Sequence, residues 1–384
     1  RPPRPDHPRR VLVTGATGLL GGFLVRELLL ADPDAEAWCL VRAPDAAAGA
    51  GRIAERMRRY GSWVPELADR IVPVPGDLAE PGAGLDPALR RELGDTVDAV
   101  FHCGARVNHV EPYALLRAAN VDATRTLLEV ASQRAGVDVH FVSTLGVAED
   151  VERGTVLGDD DVVDFAALAD SGYVQSKWVA ERIVELARGA GVAATIHRPG
   201  LLTGDLVTGA ANLEDGFWNT VRSIAAVGAI PSDLVDRRVA MSPVDHAARR
   251  IVGAARRGGP ADGGRTVAVA SEDGPTWGRI AAALRRRGLP VEETSAEEYL
   301  RRQTDMFRAG DGELGRAVVL QRTLLDRVRA GRGAVAAAPP RPMPASESEA
   351  ADGGWPRIGD AELDLYLGYL AGVGFLPAGR PVDG

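Results

Sequence analysis

Among 384 residues there are six tyrosines and one lysine, and Lys177 stands four positions after Tyr173 in Tyr173-Val-Gln-Ser-Lys177. On a helix, positions i and i+4 share a face, with Cβ atoms about 5–6 Å apart. An ammonium beside a phenol favours the phenolate and lowers a tyrosine pKa from about 10 towards working pH. The pair is thus matched to giving a proton to a carbonyl oxygen during reduction. Every other basic residue of the 45 is arginine. Arg and Lys exchange on most solvated surfaces, so a drift to arginine stalls where a compact ammonium with a tunable pKa is needed. That makes Lys177 a candidate for chemistry.

A second constellation lies near the start. Thr14-Gly15-Ala16-Thr17-Gly18-Leu19-Leu20-Gly21 follows an apolar strand-like run and opens an apolar-periodic stretch. In that context glycine-rich spacing reads as a phosphate loop. Gly15 permits the tight turn, Gly18 lets the backbone approach a pyrophosphate, and Gly21 lets the helix pack on the sheet. The first-turn N–H groups and the positive end of the helix dipole face the phosphates, so Thr14, Gly15, Thr17, Gly18, Leu19, Leu20 and Gly21 are assigned to the cofactor. An NAD site usually carries an acid about 20 residues on. Here Val41-Arg42 stands there. A carboxylate would repel a 2′-phosphate and an arginine pairs with it, which points to NADPH (NADP), with Arg52 as a second clamp.

These residues need a scaffold to bring them together. Strands are read at 10–14, 37–41, 71–74, 99–103, 139–144 and 194–198, separated by helices at about 19–30, 51–60, 115–133 and 173–188. Strands alternating with helices imply βαβ units and a parallel sheet, so the fold class is α/β, a Rossmann-type doubly wound sheet. Leu201–Ser232 shows little period. Helices at 242–257 and 276–287, a strand at 266–270, charged helices to about Arg329 and a last helix near 361–370 complete a smaller, mostly helical C-terminal lobe. The expected division is a 1–9 linker, a 10–204 core to which 238–271 returns, and a substrate lobe of 205–237 and 272–384 with 331–357 as a flexible loop.

The net charge of −8 argues against a nucleic-acid partner. No apolar run approaches the ~18–20 residues of a membrane span. Two cysteines, Cys39 and Cys103, give no disulfide framework and no Cys-based zinc site, and a reducing cytoplasm is the default. His102 and His109 lack partners at metal spacing, so packing and substrate-mouth roles are expected of them and no metal is. The Pro-rich start without Met reads as a linker, as in a monomeric domain excised from a longer polypeptide.

The loop spacing and the Tyr-x-x-x-Lys resemble the extended short-chain dehydrogenase/reductase superfamily. That resemblance implies that Asp77 and the next backbone N–H, at Leu78, bind adenine. Cys103, Gly104 and Ala105 line the cofactor. Asn120 is a structural bridge, and Pro199, Gly200 and Leu202 cover the nicotinamide side. It places a hydroxyl at the end of the fifth strand, completing a Thr–Tyr–Lys triad. Thr144 is the first choice, and Ser143 the competitor facing the cofactor, since strand neighbours point to opposite sides. Lys177 would also bond the nicotinamide ribose.

Val11-Leu-Val-Thr-Gly-Ala-Thr-Gly-Leu-Leu-Gly, Cys39-Leu-Val-Arg-Ala, His102-Cys-Gly-Ala-Arg-Val-Asn-His-Val, Arg198-Pro-Gly-Leu-Leu-Thr-Gly-Asp, Ser242-Pro-Val-Asp and Tyr366-Leu-Gly-Tyr-Leu with Gly374-Phe-Leu-Pro are also similar to one branch. It is that of the terminal thioester reductase domains of nonribosomal peptide and polyketide synthetases and carboxylic acid reductases. Cys103-Gly104 departs from its usual Asn/Pro-Ala. The resemblance implies that an upstream carrier protein domain delivers an acyl or peptidyl thioester on phosphopantetheine for NADPH-dependent release as an aldehyde, or onward to a primary alcohol. Arg285–Arg287 and Arg301-Arg302 could form a carrier-docking patch, against the plainer reading of solvated helix faces. The rival readings are an extended reductase or epimerase acting on a nucleotide sugar, and a non-catalytic NADP-binding sensor.

Overall fold

Val11, Leu12 and Val13 are fully buried in a strand, Arg10–Thr14, whose neighbours cover both its faces. Continuous apolar runs of this kind specify central parallel strands. The computed structural model describes residues 9–150, 155, 156, 158, 161–257, 264–271, 274–308 and 354–377. Residues 1–8, 309–329 and 331–353 of the expected linker, charged helices and loop lie outside the described residues.

The chain divides into two compact units. The first comprises Arg1–Asp150, Leu157–Leu202 and Val244–Ala270. Its strands are β1 (Arg10–Thr14), β2 (Glu36–Val41), β3 (Ile71–Pro75), β4 (Ala99–His102), β5 (Asp138–Val142), β6 (Ala194–Pro199) and β7 (Thr266–Val269). They form one parallel sheet in the order β7-β6-β5-β4-β1-β2-β3. The order reverses between β1 and β4, and such a switch point opens the crevice where doubly wound sheets bind ligands.

The helices of this unit are α1 (Leu19–Ala31), α2 (Ala46–Arg59), α3 (Pro87–Thr96), α4 (Tyr113–Arg117), α5 (Ala123–Ser132) and α6 (Gly172–Gly189), with Val244–Arg257 later in the chain. The helix Val244–Arg257 packs on α1. α3, α5 and α6 contribute to one buried cluster with Leu12, Val100, Val139, Phe141 and Ile196 of the sheet. α2 begins five residues before the expected start, because the Asp45 side chain accepts from Ala48 N and caps it. The single helix read over 115–133 is interrupted by a π-helical turn at Ala118–Asp122. Such turns often mark functional sites.

The second unit comprises Val151–Val156, Thr203–Pro243 and Ser271–Gly384. The stretch read as aperiodic contains a helix, Gly216–Val227, capped by Asp215. Its Trp218 meets Tyr366 edge-on at 5.6 Å, and its Ser223 joins Tyr299 and Gln303 in a buried hydrogen-bonded group. Its described residues also include the helices Trp277–Arg286, Ala296–Arg308 and Asp360–Gly372 and a two-stranded parallel pair, Ala229–Pro231 and Glu292–Thr294. Arg286 pairs with Asp364, Arg301 with Glu298 and Asp305, and Arg302 with Glu298 and Glu292. In these clusters Arg286, Arg301 and Arg302 are matched by nearby carboxylates, and Arg285 donates to the Val291 carbonyl at 2.6 Å.

Candidate active site

The glycine-rich loop joins β1 to α1 at the switch point. Gly15 has φ of +80°, and a Cβ there would stand 2.7 Å from Gly104 N, so only glycine fits this turn between β1 and the end of β4. Gly21 faces the Gly15 carbonyl rather than the sheet: a Cβ on it would lie 2.0 Å from that oxygen. Gly18 N donates to Gly15 O at 2.8 Å. Gly18 caps α1 without a side chain, and the first turn carries no acid. Thr17 and Leu19 are half-buried, Gly18 is exposed and Leu20 is buried, so it is their backbone N–H groups that suit an anion.

The Thr14 side chain has partners within the fold. It is fully buried, its Oγ1 accepts from Gly104 N at 2.9 Å and meets His102 Nδ1 at 2.7 Å. Its side chain therefore braces β1 against β4. Donor accounting fixes the chain beyond it. Thr124 O–H donates to Asn120 O, so Thr124 Oγ1 accepts from His102 Nε2, leaving Nδ1 to accept from Thr14. His102 is thus a neutral imidazole, and burial pushes its pKa down to about 3. Asn120, in the π turn, accepts from Arg106 N at 2.7 Å and donates to Arg106 O and Ser176 Oγ. Ser176 O–H donates to Tyr173 O at 2.7 Å. One continuous network thus runs from the glycine-rich loop to the turn bearing Tyr173.

Arg42, at the end of β2, is largely exposed and lies 3.9 Å from Asp77. Arg52 donates to the Arg42 carbonyl at 2.6 Å. Asp77 accepts from Ala79 N at 3.0 Å. Arg42, Pro44, Pro75, Gly76, Asp77 and Glu80 line an open cavity of about 440 Å³. Leu78 leans over Gly104, where a Cβ would fall 2.5 Å from its Cδ1.

At the other end of the crevice, Lys177 is 1% exposed. Its Nζ donates to Val142 O at 2.6 Å and sits 3.9 Å from the Phe141 ring centroid. Burial lowers its pKa to about 7, against the raising influence of Cys103 and Glu181. The Tyr173 phenol is held above its ordinary value by burial and by Cys103. The sequence led us to expect the opposite shift. Here the ammonium is directed at a carbonyl and a ring, and desolvation of the phenolate outweighs its pull. Burial also pushes the Cys103 thiol up to about 12, so it stays protonated and is no nucleophile. Ser143 continues the β5–β6 pairing, Ser143 N donating to His197 O at 2.7 Å. Its Oγ is buried and has no hydrogen-bond partner among the described residues. Thr144 is half-buried, its Oγ1 accepting from Gly146 N at 3.3 Å to cap a 3-10 turn. Ala105, Gly200 and Leu202 are half-buried and Pro199 is buried, with Gly200 N on Val269 O. Among the described residues no group of three metal-ligating side chains converges.

The NAD-binding family described as Male sterility protein has a model that matches residues 13–251. The chain belongs to this family. As a member, it is a reductase-type domain that takes a nicotinamide cofactor. It is 36% identical over 298 residues to one of the linear gramicidin synthase proteins of Brevibacillus parabrevis, covering 77% of this chain and 6% of that protein. It is 42% identical over 246 residues to the isonitrile lipopeptide synthase of Streptomyces coeruleorubidus, covering 64% of this chain and 16% of that one. The chain therefore spans a small part of these curated relatives. The crystal structure of the terminal R domain from the myxalamid PKS-NRPS pathway superposes with a TM-score of 0.83 at 31% identity. That match covers 97% of this chain and 93% of the other. The resemblance to terminal reductase domains read from the motifs holds over nearly the whole chain.

One residue at the site escaped the sequence reading. Glu181 is fully buried and holds Arg198 through Nε at 3.1 Å and Nη2 at 2.9 Å. Its signal was available, since Tyr173, Lys177 and Glu181 fall at i, i+4 and i+8 on α6. His109 was read for packing or the substrate mouth, and its partner is what the sequence did not give. Its ring lies edge-on to Tyr173 with centroids 5.2 Å apart, and no local pattern brings two residues so distant in sequence together. No helix of the described residues is long and apolar enough to cross a membrane.

Proposed function

We propose that the chain uses NADPH to reduce a carrier-bound acyl or peptidyl thioester and release an aldehyde, with a second reduction giving a primary alcohol. The observation that carries this reading is a buried Lys177 one helical turn after Tyr173, beside the strand end Ser143-Thr144, in a chain so like a terminal R domain. The site's own features fit the dinucleotide. The Gly15 turn leaves a cradle that a Cβ would fill, the first turn of α1 has no side-chain cap, and Ser143 Oγ is a buried hydroxyl awaiting a partner. Thr17, Gly18, Leu19 and Leu20 would hold pyrophosphate through their N–H groups, Asp77 and Leu78 the adenine, and Arg42 the 2′-phosphate with Arg52 bracing its backbone. Cys103, Gly104, Ala105, Pro199, Gly200 and Leu202 would enclose the nicotinamide half.

When bound, NADPH supplies hydride to the thioester carbon. Thr144 accepts from Gly146 N and so keeps its own O–H to donate to the oxygen that gains charge. Tyr173, with its pKa held up, keeps its proton at neutral pH and yields it to that stronger base. Lys177 steadies the phenolate that results, and Glu181 favours its ammonium form. The second unit is assigned the acyl chain, and the carrier domain of a larger synthetase is assigned delivery of the thioester. A reductase drawing on NADPH and a carrier belongs in the cytoplasm.

The test is NADPH oxidation with an acyl-pantetheine thioester, followed by product analysis. Aldehyde with free thiol supports the reading. Turnover of a nucleotide sugar without any turnover of thioester would overturn it.

A further inference from the structure

Release of an aldehyde requires two protons to be placed, and the residues described so far place only one. Tyr173 serves the oxygen. When the thiohemiacetal collapses, an alkyl thiolate must depart, and it leaves faster when protonated as the C–S bond breaks. Neither nearby alternative can do this. Burial makes the Cys103 thiol a weaker acid than the thiol that must form, and Lys177 is buried with its Nζ on Val142 O.

His109 is built into position against Tyr173. Its loop is closed by Arg106 Nη2 on Glu111 Oε1 at 2.6 Å, and by Asn108 Oδ1 accepting from Val110 N and Glu111 N at 2.9 and 3.0 Å. Both backbone groups of Arg106 are clamped by the Asn120 side chain. The loop meets the start of α6 closely: a Cβ on Gly172 would stand 2.4 Å from Glu111 O, so glycine is required just before Tyr173. Ser171 Oγ lies 3.5 Å from His109 Nδ1 and orients the ring. The imidazole is exposed, so it can be recharged from solvent. Val107 and Val110, 63% and 69% exposed on the same loop, give this flank an apolar surface suited to a pantetheine arm.

We propose that His109 is the acid that protonates the departing thiolate. This rests on the thioester-reductase reading of the site. In the step, the thiohemiacetal O–H proton returns to the Tyr173 phenolate and the oxygen pair forms the carbonyl. The C–S pair leaves on sulfur, which takes the proton from the His109 imidazolium. The products are aldehyde and thiol, Tyr173 is restored, and His109 regains a proton from water. No electrons are exchanged in this step.

The test varies the leaving group. Wild type, His109→Phe and His109→Gln are compared on octanoyl-pantetheine and on the S-phenyl thioester of the same acid, following NADPH. Phe keeps a ring beside Tyr173, and Gln keeps a polar group. An alkyl thiolate needs the proton and a thiophenolate departs without it. Both variants should lose about 100-fold or more on octanoyl-pantetheine and change only a few-fold on the phenyl thioester. Equal losses on the two substrates, or no loss on octanoyl-pantetheine, would overturn the assignment. Wild type inactive on both thioesters would instead remove the reductase reading itself. Thermal unfolding of each variant separates chemistry from folding, and an unchanged midpoint is expected for an exposed side chain.

Discussion

Glu181 and Arg198 allow a prediction with a magnitude. Their side chains are 0% and 3% exposed, and two N–O contacts of 2.9 and 3.1 Å join them. Replacing Glu181 by Leu keeps most of the volume and leaves the Arg198 guanidinium buried without its carboxylate. Removing one partner of a buried pair costs about 3–5 kcal/mol, mostly from the charge left behind. For a unit of this size each kcal/mol shifts the midpoint by about 2–4 °C, so a fall of roughly 6–20 °C is expected. Thermal and urea unfolding of Glu181→Leu against wild type measure it. The loss should persist near 1 M salt, since a buried pair is poorly screened. The double variant Glu181→Leu, Arg198→Met should return to within about 1 kcal/mol of wild type, because replacing both charges with apolar groups is often neutral. A single-variant loss below about 1 kcal/mol would refute the electrostatic reasoning. A double variant as damaged as the single would show that shape, not charge, sets the cost. Activity adds an independent readout: without Glu181 one influence that keeps Lys177 protonated is gone, so the rate at neutral pH should fall even where the fold survives.

Three further outcomes are expected. Lys177→Arg should lower turnover by about 100-fold or more while NADPH still binds, since a guanidinium cannot take the buried place of an ammonium donating to Val142 O; near-normal turnover would remove Lys177 from the chemistry. Arg42→Ala should weaken NADPH far more than NADH in fluorescence titrations, and equal losses would mean that Arg42 does not read the 2′-phosphate. His102 is neutral in the fold with its pKa depressed to about 3, so the unfolded chain binds more protons below its ordinary value of about 6.5. Stability is then fully present above that pH and falls by about 1.4 kcal/mol per unit as pH drops towards 3. His197, also depressed by burial, acts in the same direction. Urea unfolding at pH 7.5, 6 and 5 checks this, and a flat profile would refute it.

Much of the site was written locally. The glycine loop, Arg42 and the Tyr-x-x-x-Lys pair are each short-range patterns whose geometry follows from a strand, a turn or a helix. The alternation of apolar runs and helical periods fixed the sheet class, because βαβ crossovers leave few ways to bury strands on both faces. The long helix over 115–133 was misread because a π turn keeps the helical period on either side and only shifts its phase. The helix Gly216–Val227 was missed because its glycine, threonine and serine content hides a stripe made apolar by Trp218, Val221 and Ile224.

The sequence by itself determined the glycine-rich turn, the Tyr-x-x-x-Lys pair and the order of the elements, since these are encoded within one turn or one crossover. Only the tertiary structure decided what those groups experience. Burial against Phe141 and Val142, not the neighbouring phenol, sets the state of Lys177. The Thr14–His102–Thr124–Asn120–Ser176 network joins residues up to 162 positions apart, and His109 meets Tyr173 across 64. Desolvation and hydrogen-bond partners depend on what the fold brings close, and no spacing along the chain carries that information.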